Sequence, residues 1–173
     1  MRIQALTEEY TEQFRGLRLQ ALRDTPEAFG SSYEEESQLS ATQFIQKFAA
    51  LRTAIIDNFI LGAFDESNRL VGVVGLYPEP KKKTQHKANV VGMYVAPEAR
   101  NQSVGRLLLE ELIARASRLE RIRKLNLAVV STNIAAKRLY LSLGFQVYGV
   151  ERDALKVGDT FYDEDLMALM LNK

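Results

Sequence analysis

The sequence predicts an α/β (α+β) protein with one mixed, mostly antiparallel sheet of about seven strands, about four helices and a central βαβ unit. Short runs rich in β-branched and aromatic residues lie between Thr53 and Val95, which is typical of an antiparallel meander. A leucine-rich helical pattern then separates two strand-like runs, as in a parallel βαβ unit. No repeat or linker divides the 173 residues, so we expect a single domain over residues 1–173.

The amino-terminal residues predict a strand and a helix. The segment MRIQAL has the composition of a first strand. Apolar residues then recur at helical spacing from Tyr10 to Leu22, until Pro26 ends the pattern. This spacing predicts a first helix of about four turns.

A second helix is indicated by its own start signal. Ser40 and Gln43 have the spacing of a capping box, and Leu39 and Phe44 are placed to form a hydrophobic staple. We expect this helix to run to about Leu51.

The rest of the chain alternates strand and helix patterns. NFILGAF, LVGVVGLY and ANVVGMYV predict three antiparallel strands, separated by DESN and PEPKKKTQHK. The next helix has one apolar face, formed by Leu108, Leu109, Leu112, Ile113 and Ala116, and KLNLAVV follows as a strand. NIAAKRLYLSLG predicts a helix capped by Asn133 and ended by Gly144, after which FQVYGVE and FYDEDLMALML predict two strands.

The composition excludes several kinds of site. The 23 Lys and Arg residues nearly balance the 22 Asp and Glu residues, so a net charge of +1 gives no reason to expect a nucleic-acid partner. The chain has no cysteine, which excludes disulfides, thiolate metal sites and a cysteine nucleophile, and His86 is its single histidine. We expect no metal.

No apolar run approaches the roughly 20 residues that cross a bilayer, so we expect no membrane partner and a cytoplasmic location.

The loop from Arg100 to Arg106 is the first candidate binding site. It follows a predicted strand and precedes the leucine-rich helix, where free backbone amides and the helix dipole bind anions. Together with Arg100 and Arg106, these amides suit a diphosphate. The same residues also suit an ordinary capped helix, and the loop alone leaves both interpretations open. It contains neither a P-loop nor a dinucleotide-binding glycine pattern.

Asn133 and Tyr140 form the second candidate. They lie two turns apart on the same side of their predicted helix. A tyrosine, with an ordinary pKa of about 10, can donate a proton to a departing thiolate, whose conjugate acid has a pKa of about 8.5. Tyr140 is therefore a candidate general acid. The alternatives are a packing tyrosine and an asparagine that only caps its helix.

The order of these pieces resembles the GNAT superfamily of N-acetyltransferases across nearly the whole chain. The strand VVGMYVAPEAR, the loop, the leucine-rich helix and the strand LNLAVV are followed by Asn-x-x-Ala and by Leu-Tyr before LGF. The resemblance implies that the family's loop pattern, Arg/Gln-x-x-Gly-x-Gly/Ala, falls on Arg100, Ser103 and Gly105 and binds the pyrophosphate of acetyl-CoA. Ser103 and Asn101 stand where glycines are common, which makes positive φ angles more costly. We expect altered or weaker binding rather than none, because Asn tolerates that conformation and Ser103 can contact phosphate or cap the helix.

The resemblance also implies a role for each candidate residue. Acetyl-CoA would be bound by Met93, Tyr94, Val95, Arg100, Asn101, Gln102, Ser103, Val104, Gly105, Arg106 and Asn133. The strand residues Met93 to Val95 would pair with the pantetheine arm and place the thioester carbonyl near a backbone amide. Tyr140 would protonate the leaving thiolate, and a neutral amine would attack the thioester directly in a ternary complex without a metal.

The base that takes the amine proton is left unassigned. Many members of the family carry a glutamate on the strand before the loop, whereas residues 88–95 contain no carboxylate. Glu79, His86 and a water relay remain open, as do the glutamates of YEEES, namely Glu34, Glu35 and Glu36. The preferred interpretation of YEEES is a solvated acidic loop, and the alternative is a site that attracts a cationic amine. His86 lies in a lysine-rich loop that we interpret as a solvated hairpin.

The acceptor is expected to be a primary amine of a small molecule or peptide. The resemblance places its selection in residues 27–48 and 153–165, and polyamines, amino acids, antibiotics and peptide amino termini all stay open. The basic segment PKKKTQHK has no interleaved aromatic residue, so we interpret it as a solvated loop. An exposed edge near FYDEDLMALML would allow a homodimer.

Two functions remain at this point. The first is an acetyl-CoA-dependent N-acetyltransferase that acts on a primary amine. The second is a non-catalytic acyl-CoA-binding sensor or docking module with the same fold, which Ser103 and the missing strand carboxylate would suit. The presence of Tyr140 favours the enzyme.

Overall fold

A single sheet organises the protein, whose computed structural model describes residues 1–44, 46 and 57–171. Its seven strands are β1 (Arg2–Ala5), β2 (Phe59–Phe64), β3 (Leu70–Pro78), β4 (Lys87–Val95), β5 (Lys124–Val130), β6 (Gln146–Val157) and β7 (Thr160–Met170). Their order in the sheet is β1-β2-β3-β4-β5-β7-β6. Only β4 and β5 are parallel neighbours among the described strands. The predicted fold class, with its meander and central βαβ unit, is confirmed.

Predicted signals mark the end of the first helix, before Pro26, and the start of the last helix, at its cap Asn133. Within the described ranges, the α-helices with defined bounds are α1 (Thr11–Asp24), α2 (Tyr33–Ser37), α3 (Val104–Arg118) and α4 (Ile134–Ser142). The first of them spans 14 residues and ends before Pro26, whereas α2 was not predicted.

The predicted capping box is present at the start of another helical segment. The Ser40 hydroxyl accepts from the Gln43 N–H at 3.2 Å, and Gln43 Oε1 accepts from the Ser40 N–H at 2.8 Å. Residues 41–44 and 46 are helical. The predicted continuation to Leu51 and the predicted start of the meander at Thr53 lie outside the described residues.

The two faces of the sheet have different coverings. On one face, α3 buries the side chains of Leu108, Leu109, Leu112 and Ala116, and the leucine at 108 packs over Gly72 of β3. Side chains alternate along a strand, so Val73, Gly75 and Tyr77 point to the opposite face. There they line a cavity to which α1 and α2 also contribute.

A gap between β4 and β5 positions the site. The two strands pair only from Lys87–Lys124 to Asn89–Asn126. Further along, β4 contains a bulge in which Gly92 adopts a φ of +64°, a conformation that L side chains rarely adopt. Beyond Asn89 the edge of β4 that faces β5 is therefore unpaired within the described strands.

The carboxyl-terminal strands correct the expectation that FYDEDLMALML provides an exposed edge of the sheet. The segment FYDEDLMALML forms β7, which lies between β5 and β6 instead of at an edge. The edge strand on this side of the sheet is β6, where Val147, Tyr148 and Val150 are exposed. Both runs have strand-like patterns, and nothing in either run specifies which one pairs with β5.

Candidate functional site

Two adjoining cavities lie at the gap between β4 and β5. We call the first the inner cavity; it has a volume of about 590 Å³ and is lined by residues of α1, α2, α4 and the strands β2 to β5. The second, the loop groove, has a volume of about 730 Å³ and runs along the loop before α3. Both are lined by Ala28, Phe29, Met93, Tyr94, Val130, Asn133, Ala136 and Tyr140. The two cavities therefore adjoin at these shared residues, which we call the junction, and Tyr140 is one of them.

The floor of the loop groove is the amino terminus of α3. The first intrahelical hydrogen bond runs from the Leu107 N–H to the Ser103 carbonyl at 3.0 Å. The N–H groups of Val104, Gly105 and Arg106 have no acceptor within the described residues, as expected for the first turn of a helix. All three residues line the groove, so these amides are available to an anionic ligand.

Gly105 keeps this floor open. A Cβ at this position would lie 3.1 Å from Met93 Cε and 3.2 Å from Leu139 Cδ2, which is tighter than most packing contacts. Any larger side chain would have to project into the groove, so glycine preserves the space that a ligand would occupy.

Ser103 and Asn101 have the backbone conformation for which glycine is usual. Their φ angles are +61° and +60°. Ser103 is the N-cap residue of α3, but its side chain makes no capping hydrogen bond. The Ser103 hydroxyl was expected either to cap the helix or to contact phosphate. It does not cap the helix, and its contact to phosphate stays a prediction.

We predict that Ser103→Gly stabilises the protein by about 0.5–1 kcal/mol. Glycine adopts the left-handed conformation of this position without strain, and the substitution removes no hydrogen bond. Ser103→Val should destabilise it by at least about 1 kcal/mol, since a β-branched residue is a genuine outlier at positive φ. Urea unfolding midpoints of the two variants measure both effects. A lower midpoint for the glycine variant than for the native chain would show that the serine side chain stabilises the loop.

Two guanidinium groups flank the groove, and both are held by the protein. Arg100 Nε donates to the Val95 carbonyl at 3.1 Å, and Arg106 Nη2 donates to the Ser142 hydroxyl at 2.7 Å. Arg106 also forms an exposed ion pair with Glu110, at 3.4 Å, and Glu27 is the one carboxylate among the described residues that line the groove. Arg100 and the free amides together favour an anionic ligand.

Tyr140 lies at the junction of the two cavities and lines both of them. Its side chain is buried, with 6% of the residue exposed, and its ring packs edge-on against Phe145 at 5.9 Å between centroids. The hydroxyl has no hydrogen-bond partner among the described residues. Burial raises the pKa of Tyr140 to about 12, so the hydroxyl stays protonated at neutral pH. It is a donor, although a weaker acid than an exposed tyrosine.

Asn133 both caps α4 and lines the two cavities. Its Oδ1 accepts a hydrogen bond from the Ala136 N–H at 3.1 Å, so the capping interpretation holds. Because Asn133 lines the same cavities as Tyr140, the structure brings the two candidates together as their spacing predicted.

A buried carboxylate holds the end of β5 against α4. Asp165 of β7 is 4% exposed, accepts a hydrogen bond from the Ser131 hydroxyl at 2.7 Å and forms an ion pair with Lys137. The hydrogen bond from Lys137, followed by the one from Ser131, lowers the pKa of Asp165. These contacts lie next to Asn133 in the chain and position the helix that carries Tyr140.

We predict that this interaction makes stability depend on pH. A carboxyl whose pKa is lowered in the folded state stabilises the fold above its unfolded pKa of about 3.9, and this contribution is lost as the pH falls through the folded pKa. Asp165→Asn should lower the free energy of unfolding by about 1–3 kcal/mol at pH 7. The difference from the native chain should shrink below about pH 4 in urea unfolding. A difference that is constant with pH would contradict this role.

The structure corrects the interpretation of YEEES as a solvated acidic loop. The segment is the helix α2, and its Glu36 is buried, with 4% exposed, and lines the inner cavity. Glu34 and Glu35 are exposed. Glu79 accepts a hydrogen bond from Asn89 at 2.8 Å, and neither Glu79 nor His86 lines either cavity.

Sequence reasoning missed Arg18, the ion-pair partner of Glu36. Its guanidinium lies in the inner cavity and binds the carboxylate through two hydrogen bonds. A signal was present, because Arg18 interrupts the apolar stripe of α1 formed by Phe14, Leu17, Ala21 and Leu22. A charged residue inside such a stripe is either paired or functional.

The residues predicted to bind acetyl-CoA and the acceptor can be compared with the lining of the two cavities. Every residue predicted to bind acetyl-CoA lines the loop groove except Gln102, whose side chain donates to the Glu98 carbonyl at 3.0 Å. The range 27–48 contributes to the inner cavity, whereas no lining residue comes from 153–165. Within the described part of the chain, no group of three His, Asp or Glu residues is placed to hold a metal ion. No helix there is long and apolar enough to span a membrane.

Comparisons with known proteins show the family and the fold of the chain. A family model described as "Acetyltransferase (GNAT) family" matches residues 4–145. A GNAT-family acetyltransferase from Streptococcus pneumoniae has a TM-score of 0.85 at 21% identity, with 99% of each chain covered. A ribosomal-protein-alanine N-acetyltransferase from Brucella melitensis has a TM-score of 0.85 at 24% identity, covering 99% of this chain and 100% of that one. The putative acetyltransferase yncA from Salmonella typhimurium, solved with its cofactor acetyl-CoA, has a TM-score of 0.85 at 20% identity, covering 100% of this chain and 95% of that one.

Proposed function

The chain belongs to the GNAT acetyltransferase family, and from that premise we propose that it transfers an acetyl group from acetyl-CoA to a primary amine of a small molecule or peptide. The observation that carries the proposal is the junction at Tyr140, where the loop groove and the inner cavity adjoin. One cavity suits a polyanionic donor and the other an acceptor, and a proton donor lies between them. A structural relative, yncA, was solved with acetyl-CoA.

The residues of the loop groove fit the cosubstrate. The free amides of Val104, Gly105 and Arg106 would bind the pyrophosphate, and the open edge of β4 beyond Asn89 would pair with the extended pantetheine arm. Acetyl-CoA supplies the acetyl group as a thioester. The backbone of Met93 to Val95 would orient its carbonyl toward the inner cavity.

The reaction needs a proton donor at the sulfur and a proton acceptor at the amine. As the neutral amine attacks, a C–N bond forms and the C–S bond breaks, and the Tyr140 hydroxyl donates its proton to the departing sulfur. Because both oxygens of Glu36 are bound by Arg18, the amine proton passes to water. The tyrosinate is reprotonated by solvent, which completes the proton balance.

A non-catalytic acyl-CoA-binding module is the second candidate. The observation in its favour is that Glu36, the one carboxylate among the described lining residues of the inner cavity, is bound by Arg18. A domain of this kind would bind acetyl-CoA and dock a partner without transfer.

Release of free CoA thiol distinguishes the two. The protein is incubated with acetyl-CoA and a panel of polyamines, amino acids, aminoglycosides and short peptides. We expect at least one amine to accelerate thiol release well above hydrolysis, with an equal amount of N-acetylated product by mass spectrometry. Binding of acetyl-CoA without acceleration by any amine class would reject the enzyme and favour the module.

A further inference from the structure

The inner cavity contains one ion pair whose geometry is fixed. Arg18 Nε donates to Glu36 Oε2 at 3.1 Å, and Arg18 Nη2 donates to Glu36 Oε1 at 3.0 Å. The guanidinium also lies over the ring of Phe29, 4.9 Å from its centroid. Two parallel hydrogen bonds and a stacked ring hold the guanidinium plane in one orientation.

One amino group of this guanidinium is left for a ligand. The hydrogen bonds to Glu36 use Nε and Nη2, and Nη1 has no partner among the described residues. Nη1 is not among the buried polar atoms that lack a hydrogen-bond partner. The Arg18 side chain lines the inner cavity and is 17% exposed. It is therefore an oriented N–H donor that reaches the cavity surface, and its complement is a ligand oxygen.

The remainder of the lining restricts the ligand further. It is largely apolar and aromatic, with Phe14, Phe29, Phe44, Ile60, Val73 and Tyr77 among its members. The charges of Arg18 and Glu36 cancel, and they are the only charged side chains among the described lining residues. A polyamine or aminoglycoside would bring several positive charges into a cavity without a net negative charge, and its desolvation would be uncompensated. A zwitterion brings no net charge.

We propose that the acceptor is an α-amino acid with an apolar side chain, whose carboxylate is bound by Arg18 Nη1 and whose amine faces the junction at Tyr140. The proposal rests on the proposed function for the transfer itself. Glu36 acts as a positioning residue that orients the guanidinium, while the aromatic walls contact the apolar side chain.

The test compares two amines that differ by the carboxylate, L-leucine and isoamylamine. The native protein should have a kcat/KM for L-leucine at least about tenfold above that for isoamylamine, because a hydrogen bond to a charged group is among the strongest polar contacts. Spermidine should be the poorest of the three. Spermidine as the best acceptor, or equal values for leucine and isoamylamine, would overturn the proposal.

Variants separate recognition from the intrinsic reactivity of the two amines. Arg18→Met combined with Glu36→Gln removes both charges, so no carboxylate is left buried and unpaired. The leucine preference should fall about tenfold, whereas Arg23→Met, which removes an exposed arginine of the same helix, should leave it unchanged. Melting temperature and acetyl-CoA affinity check that the double variant is folded. An unchanged preference in a folded double variant would overturn the assignment to Arg18.

A binding measurement distinguishes failure of this inference from failure of the enzyme. Calorimetry with CoA present should give a dissociation constant for L-leucine at least about tenfold below that for isoamylamine. If leucine binds selectively but no thiol is released, the cavity assignment stands and the proposed activity is rejected. If thiol is released with other amines and leucine does not bind, the activity stands and this inference is rejected.

Discussion

Tyr140→Phe is expected to lower kcat by about a hundredfold or more while the dissociation constant of acetyl-CoA stays within about twofold of the native value. The change removes one hydroxyl, and that hydroxyl has no hydrogen-bond partner among the described residues. Its loss therefore leaves no partner unsatisfied in the protein, and the fold should be unaffected. Initial rates of CoA release and a calorimetric titration measure the two quantities.

The matched control is Tyr148→Phe, because Tyr148 is 58% exposed on the edge strand β6 and lines neither cavity. Its rates should equal those of the native chain. Since burial raises the pKa of Tyr140 to about 12, ionisation of this residue should cause no alkaline decline of kcat between pH 7 and about 10. Equal rates for Tyr140→Phe and the native chain would reject the proton-donor assignment.

Gly105→Asp is expected to weaken acetyl-CoA binding by at least about a hundredfold. The new carboxylate would lie in the loop groove beside the amides of α3, where it would repel the pyrophosphate of acetyl-CoA. Two unit charges about 4 Å apart near a protein surface interact by about 4 kcal/mol. The same substitution places a negative charge in the first turn of the helix, where it interacts favourably with the helix dipole. Loss of binding should therefore occur without loss of helix stability, and calorimetry together with thermal unfolding measures both.

Gly105→Ala is the control that separates charge from bulk. Its Cβ would meet the flexible ends of Met93 and Leu139 at 3.1 and 3.2 Å, which a small shift can relieve. Its effect on the dissociation constant should be about tenfold or less. If the aspartate and alanine variants bind acetyl-CoA equally well, the amides at the start of α3 do not meet the pyrophosphate.

Much of the fold is local in origin and was therefore predictable. The meander follows from runs of β-branched residues, and α4 follows from the cap at Asn133 and the stop at Gly144, which has a φ of +94°. The position of β7 inside the sheet was not predictable, because strand order depends on pairings between distant segments that no local pattern encodes. The bounds of α1 followed from its spacing and from Pro26.

The candidate site was predictable where a loop or helix spacing defined it. The spacing of Asn133 and Tyr140 placed both on the same cavities, and the loop before α3 has the strained residues that its missing glycines implied. The pair of Arg18 and Glu36 was missed because its two residues lie on different helices and meet only in the folded protein. A solvated glutamate and a buried one look the same in a segment such as YEEES.

The most direct test of the account is a crystal structure of the protein with acetyl-CoA bound. We predict that the pyrophosphate contacts the amides of Val104, Gly105 and Arg106 and that the pantetheine arm lies along β4. The thioester sulfur should be within about 3–4 Å of the Tyr140 hydroxyl, with the acetyl group facing the inner cavity. A pyrophosphate bound away from α3, or a thioester that does not reach Tyr140, would contradict the account.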